Sequence, residues 1–346
     1  MTTLRTADDL IAAGLAPDTN RADLARVAAR YAVAVTPTLT RLMDGTDGAQ
    51  AIARQFLPDV AELNILPQEL ADPIGDEAFS PVKGIVHRYS DRVLLKAVGV
   101  CAVYCRFCFR REMVGPGAET TLSDREIEAA LAYVAGHPEI WEVILTGGDP
   151  FMLSPRRMQH LARRLGEMGH VQVMRLHTRI PIAAPERVSA DVVAALRTEG
   201  VTPYVAVHVN HARELTPEAR AALSRLVDAG IPVLSQTVLL RGVNDRADTL
   251  ADLFRALVAN RVKPYYLHHP DLAPGTSHFR LSVAEGQALV AQLRGHISGL
   301  CLPTYVLDIP GGHGKAPLES AVELSPDGAL SVRDRDGRRH PYPDAD

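Results

Sequence analysis

The chain has 346 residues, 47% of them hydrophobic, with 37 basic and 41 acidic side chains mixed along its length for a formal net charge of −4. That length can bury a substantial core, and the near-balanced charge offers no broad basic face for nucleic acid or an anionic membrane, so a small molecule is the expected partner. No basic segment followed by a long apolar run opens the chain, and no stretch is apolar enough to span a bilayer, so a cytoplasmic location is expected.

Residues 1–85 read as a helical region, with "RADLARVAARYAVAV" and "AQAIARQFLPDVAEL" leading into the proline-containing loop "ELADPIGDEAFSPVKG". From about residue 92, β-rich runs alternate with helical segments. The runs are "RVLLKAV", "WEVILT", "VQVMRLHT", "TPYVAVHV", "PVLSQTVLL", "KPYYLHH" and "PTYVLDI", an alternation that predicts parallel β/α architecture. Ser123 with Glu126 and Ser282 with Glu285 fit capping boxes, Pro155 and Pro217 fit first helical positions, and Gly169, Gly200 and Gly230 are expected to close helices. Six β/α units within residues 86–300, followed by a further strand, fit a partial (β/α)6 TIM-like barrel better than a closed eightfold one. Residues 301–346 form a short C-terminal extension, whose turn-rich tail after about 324 reads as a hairpin with a loose end.

Only four cysteines occur, Cys101, Cys105, Cys108 and Cys301, and three of them crowd "GVCAVYCRFCFRREMVG". This is no disulfide framework. Structural zinc asks for four ligands, usually in pairs, and a C-x-x-x-C-x-x-C run lacks the partner pair. A 4Fe-4S cube normally takes four thiolates, so three closely spaced cysteines imply one iron with an open position, a place for chemistry. Cys301, at the start of a different strand, is the alternative fourth ligand and would make the cluster a plain electron carrier. Tyr104, Phe107 and Phe109 can exclude water, while Arg106, Arg110 and Arg111 can offset thiolate charge. The glycines of "LTGGDP" follow a strand, either as a simple β/α turn or to let a ligand approach the backbone. In "LDIPGGHGKAPL", Lys315 stands behind Gly311, Gly312 and Gly314. It is either a solvated turn lysine or one given the freedom to make and break a Schiff base.

The cysteine motif after the strand that opens a β/α barrel resembles the radical S-adenosylmethionine (SAM) superfamily, in which SAM chelates the unique iron. Together with "HRYSDRVLL", "LTGGDP", "QTVLLRGVND", "HHPDLAPGTSHFR" and the Lys315 loop, in order from about residue 80 to 318, it resembles the lysine 2,3-aminomutases. That resemblance implies a radical SAM barrel holding a 4Fe-4S cluster, SAM and pyridoxal 5′-phosphate (PLP), and interconversion of L-lysine and β-lysine through a 5′-deoxyadenosyl radical. It assigns Cys101, Cys105 and Cys108 to the cluster, and Gly147, Gly148, Asp149, His208 and Gln236 to SAM. Arg88, Tyr89 and Arg92 are assigned to the PLP phosphate, Lys315 to the Schiff base, Arg110 to the substrate carboxylate, and Asp271 and Asp308 to its distal ammonium. Paired carboxylates suit a cation and repel an acidic side chain, which favours lysine over glutamate, with arginine the first alternative.

The resemblance also implies an electron donor such as flavodoxin or ferredoxin and a homo-oligomer, with neither nucleic acid nor membrane as partner. His313 interrupts a loop that is usually all glycine in the lysine enzymes, and "HHPD" replaces the residues typical before Asp271. The C-terminal cysteines that bind structural zinc in longer relatives are missing, so no zinc is expected. The short length is similar to the branch that makes β-lysine for modification of translation elongation factor P, which does not generally keep the Asp308 and glycine-loop pattern. A rival reading from another class is a non-catalytic iron-sulfur electron-transfer or sensing protein, with Lys315 unmodified and Cys301 as fourth ligand.

Overall fold

The computed structural model describes residues 2–45, 48–115, 121–319, 322–324, 330–333 and 337–341. Four short helices come first: α1 (Ala7–Ala12), α2 (Arg21–Arg30), α3 (Pro37–Leu42) and α4 (Ala49–Phe56). The expected helix at 49–63 is cut at Leu57, because a residue before proline is pushed into extended backbone, and residues 60–63 resume as a separate 3-10 turn.

The alternating segment then builds one sheet. Its elements are β1 (Ile85–Tyr89), β2 (Arg92–Val98), α5 (Asp124–Ala135), β3 (Glu142–Gly147), α6 (Pro155–Gly166), β4 (Val173–Thr178), α7 (Ile180–Ala183) and α8 (Ala190–Leu196). They continue with β5 (Thr202–His208), α9 (Pro217–Asp228), β6 (Val233–Val238), α10 (Ala247–Ala259), β7 (Lys263–His268), α11 (Val283–Leu293), β8 (Thr304–Asp308) and β9 (Lys315–Pro317). The sheet has nine strands in the order of the chain. Strands β2 to β8 are parallel, while β1 and β9 run antiparallel on the two edges. Each crossover therefore steps one strand along in the same direction, as in a barrel, but β1 and β9 end the sheet without pairing to each other. The expected six β/α units and closing strand are present, and the barrel is open.

Strand alternation divides the side chains between two surfaces. Val143 and Leu145 of β3 and Met174 and Leu176 of β4 are fully buried in the main core with α5, α6, α8, α9 and α10. Their alternate neighbours, Ile144, Thr146, Arg175 and His177, line an interior cavity. Both capping boxes form, and Pro155 and Pro217 open α6 and α9. Gly230 stands one residue past the C-cap of α9, but Gly169 and Gly200 lie in the loops beyond α6 and α8 and do not cap them. At Gly200 the reason is a close backbone approach to Gly166, at a positive φ of 83°.

The two edge strands were not expected. After β8 the chain turns through Gly311, Gly312 and Gly314, all at positive φ, and comes back as β9, with Ile309 N donating to Gly314 O at 2.8 Å. Lys315 is thus the first residue of a paired strand, in register with Asp308. In the tail, β10 (Val322–Leu324), β11 (Leu330–Arg333) and β12 (Arg339–Pro341) form an antiparallel sheet of three strands, one more than the expected hairpin. The expected loose end, 342–346, lies outside the described residues. Among the described residues no helix is long and apolar enough to cross a membrane.

Candidate active site

The segment 99–115 leaves β2 at its C-terminal end and is crossed by the end of β3. Val98 O accepts from Gly148 N at 2.6 Å and Val100 O from Asp149 N at 3.0 Å. A Cβ on Gly148 would collide with the Val100 backbone, so glycine is the residue that allows this crossing. On its other side the segment is tied to the N-terminal helices, with Tyr104 N donating to Ala34 O at 3.3 Å and Arg106 N to Gln55 O at 2.8 Å.

Cys101, Cys105 and Cys108 line one hollow, and Cys105 and Cys108 also face the larger cavity. Burial above all raises the pKa of all three thiols, Cys108 to about 11, and the charge of Asp149 adds to the effect at Cys101. The Asp149 and Arg110 backbone N–H groups oppose it, pointing at Cys101 and Cys108. Among the described residues no group of three or more His, Cys, Asp or Glu side chains converges on a single metal ion. Three recessed thiols set apart on one loop, one of them met by a guanidinium N–H, suit the corners of an iron-sulfur cube.

The expected offsetting of thiolate charge holds at Cys108, where the Arg110 and Arg111 charges oppose the rise, but it acts through space rather than by contact. Arg106 and Arg111 do not contact the thiols but converge on Glu62, which is fully buried. Arg106 Nε donates to Glu62 Oε1 at 2.9 Å, and Arg111 Nη2 also donates to Oε2. Arg110 instead donates through Nε and Nη2 to Asp76 at 3.1 and 3.0 Å. The guanidinium that touches a cysteine belongs to Arg179, whose Nη1 donates to Cys105 Sγ at 3.0 Å. The alternative fourth ligand, Cys301, lies elsewhere. It is buried in the main core just before β8, at the N-terminal end of a strand parallel to β2, whereas the cysteine loop leaves the C-terminal end of β2. The barrel's strands separate the two, so Cys301 cannot complete a cluster on that loop.

A cavity of about 610 Å³ lies against Cys105 and Cys108. Arg88, Tyr89, Arg92, Arg110, His208, Gln236, Asp271, Asp308 and Lys315 all line it. Gly147, Gly148 and Asp149 do not. The Asp149 carboxylate is occupied internally, accepting from Phe151 N at 3.0 Å, Thr178 Oγ1 at 2.7 Å and Arg179 N at 2.7 Å. Arg92 stacks on the Tyr89 ring at 3.7 Å. Arg88 Nη2 donates to Asp76 at 2.9 Å, leaving its buried Nε without a hydrogen-bond partner. A spare buried guanidinium N–H beside Arg92 and Tyr89 suits a phosphate. Lys315 Nζ donates to Asp308, and Lys315 N donates to Tyr89 Oη at 2.9 Å. An amine thus lines the same cavity as Arg88 and Arg92, an arrangement that suits a PLP aldehyde and phosphate.

The two aspartates differ in charge state. Burial raises both, but at Asp308 the His268 hydrogen bond and the Lys315 ammonium outweigh it and draw the carboxyl down to about 2. At Asp271, burial and then the Asp308 charge push it up to about 7, against the pull of Lys315, Arg110 and Arg88. Burial, with Arg179 and Arg175 nearby, holds His208 and His177 well below the ordinary histidine range, so both are neutral hydrogen-bonding groups. Asp76, which no local motif marks, collects Arg88, Arg110 and, at 3.8 Å, Lys96.

Three thiols on the loop leaving the first parallel strand of an open β/α barrel, with a cavity lined by charged and apolar side chains beside them, define a radical SAM enzyme. A family model described as the Radical SAM superfamily matches residues 96–254. A second model, described as Lysine-2,3-aminomutase, matches residues 290–343, which carry Asp308 and Lys315. The chain is 38% identical over 286 residues to the L-lysine 2,3-aminomutase of Clostridium subterminale, covering 83% of this chain and 68% of that one. It is 38% identical over 318 residues to a putative L-lysine 2,3-aminomutase of Treponema pallidum, covering 89% of both. Against the L-lysine 2,3-aminomutase of Escherichia coli K12 the identity is 37% over 289 residues, 84% of each. The chain belongs to the lysine 2,3-aminomutase family, whose cofactors are a 4Fe-4S cluster, SAM and PLP.

Proposed function

We propose that this chain interconverts L-lysine and β-lysine. The observation that carries the reading is one cavity that borders two of the three thiols and also holds an amine, anion-binding arginines and two aspartates. When bound, the cluster and SAM supply a carbon radical that removes and returns a hydrogen atom, and PLP supplies an aldehyde that carries the migrating nitrogen. The chain's own residues do the rest by placement. Cys101, Cys105 and Cys108 hold three irons; His208 and Gln236 orient SAM; Arg88, Tyr89 and Arg92 hold the phosphate. Arg110, fixed by Asp76, also donates from Nη1 to Thr146 Oγ1 at 3.4 Å and meets the substrate carboxylate from the cavity wall. Asp308 and Asp271 take the distal ammonium. The one-electron donor is a flavodoxin or ferredoxin.

Anaerobic assay tests the reading: with cluster, PLP, SAM and reductant supplied, lysine is converted to its β-amino isomer, detected by mass spectrometry after chiral derivatisation. Conversion of arginine but not lysine would overturn the substrate assignment, and SAM cleavage without any isomer would overturn the reaction.

The aspartate pair also sets a pH dependence. Below about pH 7 Asp271 is protonated and Asp308 alone meets the ammonium; above it both are charged. KM for lysine is therefore expected to fall as pH rises through about 7, and Asp271→Asn is expected to flatten that change at a KM near the wild-type low-pH value. The effect on stability has opposite signs at the two residues. Asp271, raised on folding, costs stability progressively from about pH 4 to 7, whereas Asp308, lowered on folding, contributes stability that is lost as pH falls from about 4 towards 2. A KM that is flat with pH in the wild-type chain would refute the assignment of Asp271 to the ammonium.

A further inference from the structure

Arg179 follows β4 and is 5% exposed. Its backbone N–H is fixed by Asp149, and its guanidinium lies over the Phe56 and Phe107 rings, at 4.6 and 5.6 Å. Nη1 donates to Cys105 Sγ at 3.0 Å, while Nη2 donates to Gln55 Oε1 at 2.6 Å and Glu214 Oε2 at 2.7 Å. Glu214 is fully buried and its other oxygen accepts from Asn210 N at 3.0 Å, His211 N at 2.9 Å and Gln55 Nε2 at 3.2 Å. Its two other side-chain partners come from different elements, Gln55 from α4 and Glu214 from the turn after β5, so its position does not rest on the cysteine alone.

We propose that Arg179 is a positioning and tuning residue for the iron-sulfur cluster, hydrogen-bonded to the Cys105 sulfur and setting how readily the cluster accepts its electron. The inference rests on the assignment of Cys105 to the cluster. Accepting an electron adds negative charge to the cluster and its thiolates, and a fixed cation donating to one sulfur stabilises that reduced form more than the oxidised one. The guanidinium is buried between two aromatic rings, where the low local dielectric strengthens the effect. Glu214 offsets part of the cation's charge and opposes a thiolate at Cys105, so Arg179 contributes above all a directional N–H···S bond. Arg106 and Arg111, the expected partners of the thiolates, are hydrogen-bonded to Glu62 rather than to a cysteine sulfur and do not take this role.

The test is a redox titration of the reconstituted cluster in the full chain without SAM, followed by electron paramagnetic resonance, with iron and sulfide analysed in each sample. Arg179→Gln, which removes the charge, is expected to move the midpoint to more negative potential. Arg179→Lys, which keeps it, is expected to move the midpoint less; if the glutamine variant fails to retain iron, the lysine variant carries the comparison. A midpoint unchanged from wild type in a variant with full iron content would overturn the proposal. So would weaker SAM binding with the SAM-free midpoint unmoved, which would place Arg179 on SAM instead. A wild-type chain that takes up no cluster would overturn both this inference and the ligand assignment beneath it.

Discussion

Lys315→Ala is expected to form no detectable β-lysine while keeping its iron and its spectral response to SAM. Borohydride, which should fix PLP to the wild-type chain, should leave the variant unlabelled. The loss follows from placement: Lys315 is the only lysine among the described residues lining the cavity, and the β8–β9 register sets it against Asp308. That same pairing yields a second, opposite effect. Without PLP, the Lys315 ammonium sits on the carboxylate proposed for the substrate's ammonium. Removing it leaves Asp308 and Asp271 open to another cation. A charge-assisted hydrogen bond contributes about 1.5–3 kcal/mol, so the PLP-free variant is expected to bind cadaverine at least about tenfold more tightly than the PLP-free wild type by calorimetry. Residual isomerase activity in the variant would remove Lys315 from its role. Equal cadaverine affinity would show that Asp308 does not receive the distal ammonium.

The parallel strands were legible because each is a short apolar or β-branched run bounded by cap and turn residues, signals local to the chain. The edge strands were not. β9 is three residues, Lys315–Pro317, with no alternation to read, and its pairing is dictated by a glycine turn whose geometry emerges only when it is folded against β8. The site divided in the same way. The thiols and Lys315 announce themselves through spacing and glycine context, so their chemistry could be argued from the residues around them. Glu62, Asp76, Arg179 and Glu214 could not, since each acts through an ion pair with a residue distant in sequence: Glu62 with Arg106, Asp76 with Arg110, Arg179 with Glu214. The arginines of the cysteine loop looked like counterions because they are close in sequence, yet two carboxylates from before β1 claim them. Asp59 and Glu62 do carry a local signal, a capping box, but such a box predicts only a helix start and says nothing of the arginines its glutamate will meet.

Glu62→Ala is expected to be the most destabilising single change near the site, by about 3–5 kcal/mol, because it leaves buried guanidiniums without their carboxylate. Glu62 is fully buried, and Arg106 and Arg111 are 2% and 7% exposed. Each keeps a carbonyl, Ala32 O at 2.7 Å for Arg106 and Arg106 O at 2.9 Å for Arg111, but these are dipoles rather than a countercharge. Urea unfolding followed by circular dichroism should show the loss as a lower midpoint, and cluster reconstitution should show reduced iron uptake, since the loop must hold three thiols in place before iron arrives. A wild-type midpoint in this variant would mean that the arginines find solvent or another acceptor. Replacing all three residues together, Glu62→Leu with Arg106→Met and Arg111→Leu, should recover much of the stability. The penalty in the single variant comes from stranded charge, whereas an apolar triad of similar volume strands none. Iron uptake in the triple variant then separates two roles for the ion pairs. Restored uptake would mean the loop needs only to be packed, and stable protein without uptake would mean the fixed geometry of the guanidinium forks is what sets the thiols for the cluster.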